Sequence, residues 1–324
     1  MKKLLLNIFV FCLVVMLSIA CSKEEPKTIG EPITVSLSLS GDIYVEHESL
    51  TKASTDDLYG INVYYDKDKD GTTNDEYGYG LFDDVSKMTI TLISGYKYRF
   101  VCTLVRDGKT KLYSSNIGKY EAPFGQIMEN QFILGKGVMS GLDSGTARMS
   151  DDENDRKIPR LDRFYGETTN YEPIENGKID ISLKRCSFGA KFVIKGLEDG
   201  ELNASCVYNS QSFWSIITSS NVEENGDIYS FPNIRECWAS QSEYSIAIPL
   251  TMRYLSNRGE LWDINDDQSL TFKRSMQSII TINIDPDMSG AALSISQELL
   301  SDYHNIDLGI NGNGLVDNTV EPNL

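Results

Sequence analysis

The chain of 324 residues has only two histidines, His47 and His304, which lie far apart in the sequence. No second ligand is spaced to join either of them, so a histidine-based zinc site is not indicated. The patterns GxSxG and HExxH, the P-loop and the glycine-rich dinucleotide motif are also missing. Acid pairs such as Asp83–Asp84 lie in polar turns, and nothing marks one as a glycosidase pair. We therefore expect a protein without catalytic activity.

Basic residues are few relative to acids. Lys and Arg number 30 against 47 Asp and Glu, and the formal net charge is −17. Nucleic-acid binding requires Lys and Arg gathered on one face, so a nucleic-acid partner is not expected. Hydrophobic residues make up 40% of the chain, which favours a packed core over disorder.

The one long apolar run lies at the N-terminus. Lys2 and Lys3 precede LLLNIFVFCLVVML and then LSIAC, which is typical of a signal peptide over residues 1–20. Cys21 stands where bacterial lipoproteins carry the acylated cysteine, so we predict a lipid anchor there. Ser18 departs from that pattern, since the usual leucine is one residue further back. The alternative is a soluble secreted protein cut at the same site.

Alternation of apolar and polar residues runs through almost the whole remaining chain. The segments ITVSLSLS, LYGINVYY, MTITL, YKYRFVCTLV, IDISLKR, FGAKFVIKG, EYSIAIPL and SIITINI each predict a strand with one buried face. Turn pairs such as DG and NG separate them. This pattern predicts an all-β protein built from sandwiches or open barrels. We expect an N-terminal domain over residues 21–174, with a mobile loop at 135–160, and a C-terminal domain over 175–324.

Four cysteines remain if the leader is removed and Cys21 is acylated. Export permits disulfides, and four cysteines allow three pairings between which the sequence cannot choose. Cys102 lies in the apolar run FVCTLV, which instead favours buried free thiols. We favour free thiols for this set: Cys102, Cys186, Cys206 and Cys237.

The stretch DKDKDG begins like a calcium-binding loop. Asp66, Asp68 and Asp70 occupy the first three ligand positions of an EF-hand loop, and Gly71 follows. Position twelve is Tyr77 rather than glutamate, and the flanking segments predict strands rather than helices. A hydrated hairpin turn explains every residue. We therefore predict a structural turn, with weak calcium binding as the alternative, and no other cofactor.

Aromatic residues offer the only sign of a small-molecule site. Trp214 lies in the strand pattern SFWSIIT and is expected in the core. Trp238 and Trp262 are expected to be exposed, where an indole ring could stack on a sugar. Glycan binding is accordingly an alternative function.

Three segments resemble the fimbrillin-like family, the type V pilus subunits of Gram-negative anaerobes. They are TKASTDDLYGINVYY, LISGYKYRFVCTL and IDISLKRCSFGAKFVIKGL. The resemblance implies two tandem transthyretin-like β-sandwich domains and export as an outer-membrane lipoprotein. The run Lys23, Glu24, Glu25 is similar to a short acidic surface-export signal, although a plain charged linker has the same composition.

The resemblance also implies assembly by strand exchange. A trypsin-like protease would remove an N-terminal strand, and a neighbour's strand would fill the groove by β-augmentation. Here the removable strand would be ITVSLSLSGDIYVEHES, and Lys52 would be the cleavage residue where the family often has Arg. The C-terminal tail from Tyr303 would be the donor or partner segment.

These expectations lead to a non-catalytic surface lipoprotein that serves as pilus subunit or adhesin. Its partners would be other subunits or copies of itself, the outer membrane, and a host or glycan ligand. It would reside in a fimbria if processed. The alternative is a glycan-binding lipoprotein of a carbohydrate-uptake system.

Overall fold

The computed structural model is almost entirely β-structure, which confirms the predicted all-β class. It describes residues 30–41, 56–150, 158–208, 211–218, 226–241, 243–264, 269–285 and 291–300. Three short helical turns interrupt the strands: a 3-10 turn at Val85–Lys87, α1 at Gly108–Lys111 and α2 at Ile234–Ala239. Within these ranges no helix has the length and apolarity needed to cross a bilayer.

Ten strands of the described residues form the N-terminal part. They are β1 (Pro32–Gly41), β2 (Leu58–Tyr65), β3 (Asp75–Phe82), β4 (Thr89–Ile93), β5 (Tyr98–Val105), β6 (Lys119–Tyr120), β7 (Gln126–Ile127), β8 (Phe132–Leu134), β9 (Arg163–Tyr171) and β10 (Lys178–Arg185). Eight of them make one sheet in the order β4-β1-β10-β9-β5-β2-β3-β8, while β6 pairs with β7.

The eight-stranded sheet folds over on itself at β10. The first part of β10 pairs with β1, and its last two residues, Lys184 and Arg185, pair with β9. The two halves thereby enclose a core to which β1, β2, β4, β5 and β10 contribute alternate residues, while β3 and β9 contribute one residue each. That core contains Val35, Leu37, Leu39, Tyr59, Ile61, Val63, Phe82, Met88, Ile90, Leu92, Tyr98, Phe100, Cys102, Leu104, Phe164, Ile179, Ile181 and Leu183.

The remaining nine strands form the C-terminal sandwich. They are β11 (Ser187–Lys195), β12 (Glu201–Tyr208), β13 (Gln211–Thr218), β14 (Asp227–Ser230), β15 (Ser245–Leu255), β16 (Leu261–Ile264), β17 (Ser269–Lys273), β18 (Met276–Ile284) and β19 (Ala291–Leu299). One sheet has the order β14-β11-β18-β19. The other has β13-β12-β15-β16, with β17 also paired to β15. Phe188 of the first sheet contacts Phe213 and Phe272 of the second, with ring centroids 6.0 and 4.7 Å apart.

The sheets divide the chain at Cys186, since β10 belongs to the N-terminal sheet and β11 to the C-terminal sandwich. The first sheet therefore extends past the predicted boundary at residue 174. The turn at residues 172–177 connects β9 and β10, which are neighbouring strands of the same sheet.

Residues 135–150 were predicted as part of a mobile loop, but they pack on the outer face of the N-terminal sheet. Met139 and Leu142 are buried. The Asn62 side chain donates to the Met139 carbonyl at 2.7 Å and accepts from its N–H at 2.9 Å. Gly145 N–H donates to the Pro232 carbonyl of the C-terminal sandwich at 2.9 Å. These contacts hold the segment in place, although its sequence shows no apolar periodicity.

Candidate strand-exchange site

The described part of the predicted removable strand is β1, which lies in the interior of the N-terminal sheet. β1 pairs antiparallel with β4 on one side and parallel with β10 on the other. Leu37 lies opposite Ile179 and Leu39 opposite Ile181 on β10, while Val35 lies opposite Ile90 on β4. We call the space between β4 and β10, occupied by β1, the β1 slot.

The β1 slot is lined with aliphatic side chains because β1 and its neighbours alternate in register. Val35, Leu37 and Leu39 are at most 2% exposed. The intervening Ser38 is also buried, and its hydroxyl donates to a carboxylate oxygen of Asp180 on β10. Polar and apolar faces of β1 are therefore both matched to the slot.

The wall formed by β4 is held in place by the first residue of β5. Tyr98 is fully buried, and its hydroxyl accepts from Ile93 N–H at 2.9 Å and donates to the Ile93 carbonyl at 3.0 Å. Burial raises the pKa of this phenol, so it remains a neutral donor. In the described residues β4 pairs with no strand other than β1.

β1 leaves the slot through a position that requires glycine. Gly41 has φ +107, and a Cβ there would lie 2.1 Å from the carbonyl oxygen of Leu183. Both the left-handed backbone and the close approach exclude a larger residue. From Gly41 the chain continues through residues 42–55, which contain Lys52 and lie outside the described residues.

Two further sequence predictions also fall outside the described residues. They concern Cys21 in the leader and the tail from Tyr303. A lipid anchor at Cys21 and strand donation by the tail therefore stay predictions.

DKDKDG forms the β2–β3 connection, and the two strands pair antiparallel as predicted. Asp66 is buried, and its two carboxylate oxygens accept from Asp70 N–H at 3.0 Å and Gly71 N–H at 2.9 Å. Asp70 accepts from the N–H and hydroxyl of Thr72, which lowers its pKa. Asp68 is exposed. No cluster of three or more potential metal ligands occurs in the described part of the chain.

The two tryptophans proposed for sugar stacking are not brought together. Trp238 on α2 is half-buried rather than exposed, because its ring packs edge-on against Tyr165 at 5.6 Å. Trp262 on β16 is 39% exposed and stacks on Tyr254 at 5.4 Å. One face of that indole is thus already covered by a protein ring. Side-chain placement at Trp214 is outside what the structure describes.

The four cysteines are buried free thiols, which confirms the favoured interpretation. Burial raises the pKa of Cys102 and Cys206, so neither is a reactive thiolate. Cys102 lies in the N-terminal core, as the apolar run around it predicted.

Sequence reasoning missed the polar junction between the N-terminal sheet and the C-terminal sandwich. Arg185 donates to both carboxylate oxygens of Asp162 at 2.7 Å, and Nη1 donates to the Leu300 carbonyl at 2.9 Å. Nearby, buried Glu167 on β9 pairs with Arg235 of α2 at 2.9 Å, which raises the pKa of that guanidinium. These partners are distant in sequence, so no local motif could have indicated them.

A cavity of about 550 Å³ at the entrance to β1 was also not foreseen. It is lined by residues 31–34, 94, 175 and 176, including Glu31 and Glu175. The cavity explains why Ile33, on the same face as Val35, is only half-buried. The strand is therefore packed least tightly at its first residues.

No family model matches the chain, and no curated protein matches it. Solved structures do align over most of its length, and the following are fimbrial proteins. The tip fimbrial protein Mfa3 of Porphyromonas gingivalis, truncated at its C-terminus, aligns with 9% identity and a TM-score of 0.34, covering 82% of this chain and 99% of that one. The fimbrial anchor protein Mfa2 of the same species aligns with 11% identity and a TM-score of 0.39, covering 84% of this chain and 100% of that one.

A fimbrial assembly protein of Parabacteroides distasonis aligns with 10% identity and a TM-score of 0.34, covering 86% of this chain and 99% of that one.

Proposed function

We propose that the chain is a non-catalytic surface lipoprotein of fimbrillin type that assembles as a pilus subunit or adhesin by exchanging the strand in the β1 slot. The observation that carries this proposal is the position of β1. It is an interior strand with a buried aliphatic face. It is also the first of the described elements, and residues 42–57 are its covalent connection to the next strand, β2.

Cleavage after Lys52 would convert β1 from a covalent part of the sheet into a bound peptide. Its three buried aliphatic side chains contribute about 1.5–3 kcal/mol each on burial. A cut chain would therefore retain β1 until a competing strand arrived. Empty, the slot would expose the apolar faces of β4 and β10, together with unpaired backbone groups.

The C-terminal tail has a pattern that suits the slot. Ile306, Leu308 and Ile310 alternate with polar residues or glycine, as Val35, Leu37 and Leu39 do in β1. A tail supplied by a neighbouring copy would therefore present three aliphatic side chains on one face of an extended strand. The partners would then be copies of this chain or related subunits. A lipid anchor at Cys21 would hold unprocessed chains at the outer membrane.

Limited proteolysis tests the proposal directly. The purified chain is treated with a trypsin-like protease, and its intact mass and native-gel mobility are followed. We expect a cut after Lys52, retention of the β1 fragment, and its displacement by a synthetic peptide of residues 303–314. Oligomers should form as fragments leave. Lys52→Gln should block all of these steps, whereas Lys87→Gln, at an exposed lysine in the 3-10 turn, should block none.

Two results would count against strand exchange. Either the chain is not cut at Lys52, or the cut chain keeps its fragment in excess peptide and forms no oligomer larger than that of the uncut chain. In those cases, tryptophan fluorescence with a panel of oligosaccharides would test the glycan-binding alternative, because Trp262 is partly exposed.

A further inference from the structure

The C-terminal sandwich has an open side at β19. This strand pairs with β18 and, among the described residues, with no other strand. Ile295 lies opposite Ile280 and Leu293 opposite Ile282, so both share the inner face of the sheet. Ile280 is fully buried, but Ile295 is 45% exposed. The facing sheet therefore does not reach far enough to cover the inner face of β19.

The facing sheet is open on the same side. Gln297 of β19 donates to the Thr271 carbonyl of β17 at 3.0 Å, which places β17 across from β19. β16 continues along the same flank of β15 as β17, and its Trp262, on the inner face beside Tyr254, is partly exposed. Apolar side chains thus meet solvent on both sheets at this side.

The edge of β19 lacks the usual protection against pairing with another chain. Edge strands are commonly short, or carry lysine, proline or a bulge. β19 has nine residues in unbroken register with β18, and its only charged residue is Glu298. Among the other edges, β4 and β14 are short. β13 is long, but its exposed Ile216 lies opposite Asn203 and so faces outward.

Leu300, the last described residue, turns away from the open edge after β19. Leu300 N–H donates to Ser275 O at 3.0 Å, and its carbonyl accepts from Arg185. A Cβ on Gly189 of β11 would lie 2.8 Å from the Leu300 side chain. Leu300 therefore reaches across the end of β18 toward β11, opposite to the free edge.

The sequence of β19 is complementary to itself in the antiparallel direction. With a two-fold axis at Ile295, that residue faces its own counterpart, Leu299 faces Ala291, and Gln297 faces Leu293. On the other face, Ser296 meets Ser294 and Glu298 meets Ala292. Large side chains meet small ones at the ends, and the two glutamates never face each other.

From this register we propose that two copies of the chain pair through β19 and join their four-stranded sheets into one continuous sheet. The interface is isologous. It lies in the other half of the molecule from the β1 slot and needs neither cleavage nor strand donation. Each copy covers the exposed Ile295 of the other, which closes the open side of both sandwiches.

The uncleaved full-length chain, with the Lys52→Gln change to prevent processing, is used for the test. Sedimentation over a range of concentrations should give a dimer. Ile295→Lys places a charge on the inner face and should raise the dimer dissociation constant by at least about tenfold. Ile216→Lys is the matched control on β13 and should leave it unchanged. Both positions are exposed, so unfolding midpoints should stay near that of the parent.

Cross-linking tests the register. Directly opposite residues have Cβ atoms about 4.5–5.5 Å apart. Ile295→Cys should therefore form a cross-linked dimer on oxidation or with a short bis-maleimide, with the linked peptide identified by mass spectrometry. Leu299→Cys should not, because its counterpart lies about 27 Å away along the strands.

Three results would overturn the proposal. The parent could stay monomeric up to about 0.1 mM, a concentration far above the micromolar range of ordinary specific association. Ile295→Lys could leave a dimer intact. A dimer could also form only after truncation at Leu300, which would mean that the tail covers β19. If the chain is not cut at Lys52, pairing through β19 is unaffected. If no β19 dimer forms, strand exchange at the β1 slot is unaffected.

Discussion

Truncation of Leu37 gives the sharpest test of how tightly β1 is held in its slot. Leu37 is 1% exposed and lies opposite Ile179 on β10. Its N–H donates to the Met88 carbonyl at 2.9 Å, so the backbone around it is fixed. Leu37→Ala removes three buried carbon atoms and leaves a cavity. The neighbouring strands are held in the sheet and cannot move together to fill it. We expect it to lower the free energy of unfolding by about 3 kcal/mol.

The same change should accelerate loss of β1 from a chain cut after Lys52. If the cut strand is held by non-covalent contacts alone, about 3 kcal/mol corresponds to a roughly 100-fold weaker hold. A fluorescent label on the N-terminal fragment would report its release in the presence of unlabelled competitor peptide. Urea unfolding of the uncut protein would give the stability change independently.

Thr34→Ala is the matched control, because Thr34 lies on the same strand with an exposed side chain. Its hydroxyl contacts that of Thr91 at 3.3 Å on the surface. A surface change of this kind should cost no more than about 0.5 kcal/mol. The reasoning would be refuted if Leu37→Ala behaved like Thr34→Ala in urea. Equal release rates from both cut variants would refute the exchange slot in particular.

Three other predictions concern buried or turn-forming carboxylates. Asp162→Asn removes the carboxylate that accepts two hydrogen bonds from the buried Arg185 guanidinium, so it should cost about 3–5 kcal/mol in urea unfolding, whereas replacing both residues with apolar ones should cost less. Burial raises the pKa of Asp57 from 3.8 to about 6. Ionising this group is therefore harder in the folded state, and the resulting stability loss should develop as pH rises from about 4 to about 6 and be absent in Asp57→Asn. Asp66→Ala removes the acceptor of two turn N–H groups and should cost about 1 kcal/mol with or without calcium, while Asp68→Ala should be neutral; a calcium-dependent difference between them would support a metal site instead.

Many of the strands could be predicted because apolar and polar residues alternate along their sequences. β10 and β15 alternate exposed and buried residues along most of their length, as IDISLKR and EYSIAIPL indicated. The alternation within each such segment indicates which of its faces is buried. It does not indicate which strand lies beside it, because the buried faces of most strands carry similar aliphatic residues.

The β1 slot could therefore be predicted only in part. The sequence identified ITVSLSLS as a strand, and the family resemblance identified it as removable. The parallel pairing of Leu37 with Ile179 joins segments far apart in the chain, and no turn chemistry encodes it. The packed segment around Met139 was missed for a related reason. The Met139 N–H and carbonyl are hydrogen-bonded to the side chain of Asn62 rather than to a neighbouring strand.

The position of β1 also constrains how an exchange could proceed. β4 has no other strand neighbour in the described residues, so an empty slot would leave it unpaired and expose Ile90 and Leu92 together with Ile179 and Ile181. That exposure would cost several kcal/mol in apolar surface alone, at about 1.5–3 kcal/mol for each aliphatic side chain. A mechanism in which β1 leaves before the donor arrives would therefore be slow. A donor that enters at the loosely packed end beside Ile33, where the cavity lies, could replace β1 residue by residue and keep the slot filled throughout. Under the proposed exchange, release of the cut strand should consequently depend on donor concentration rather than follow a constant spontaneous rate.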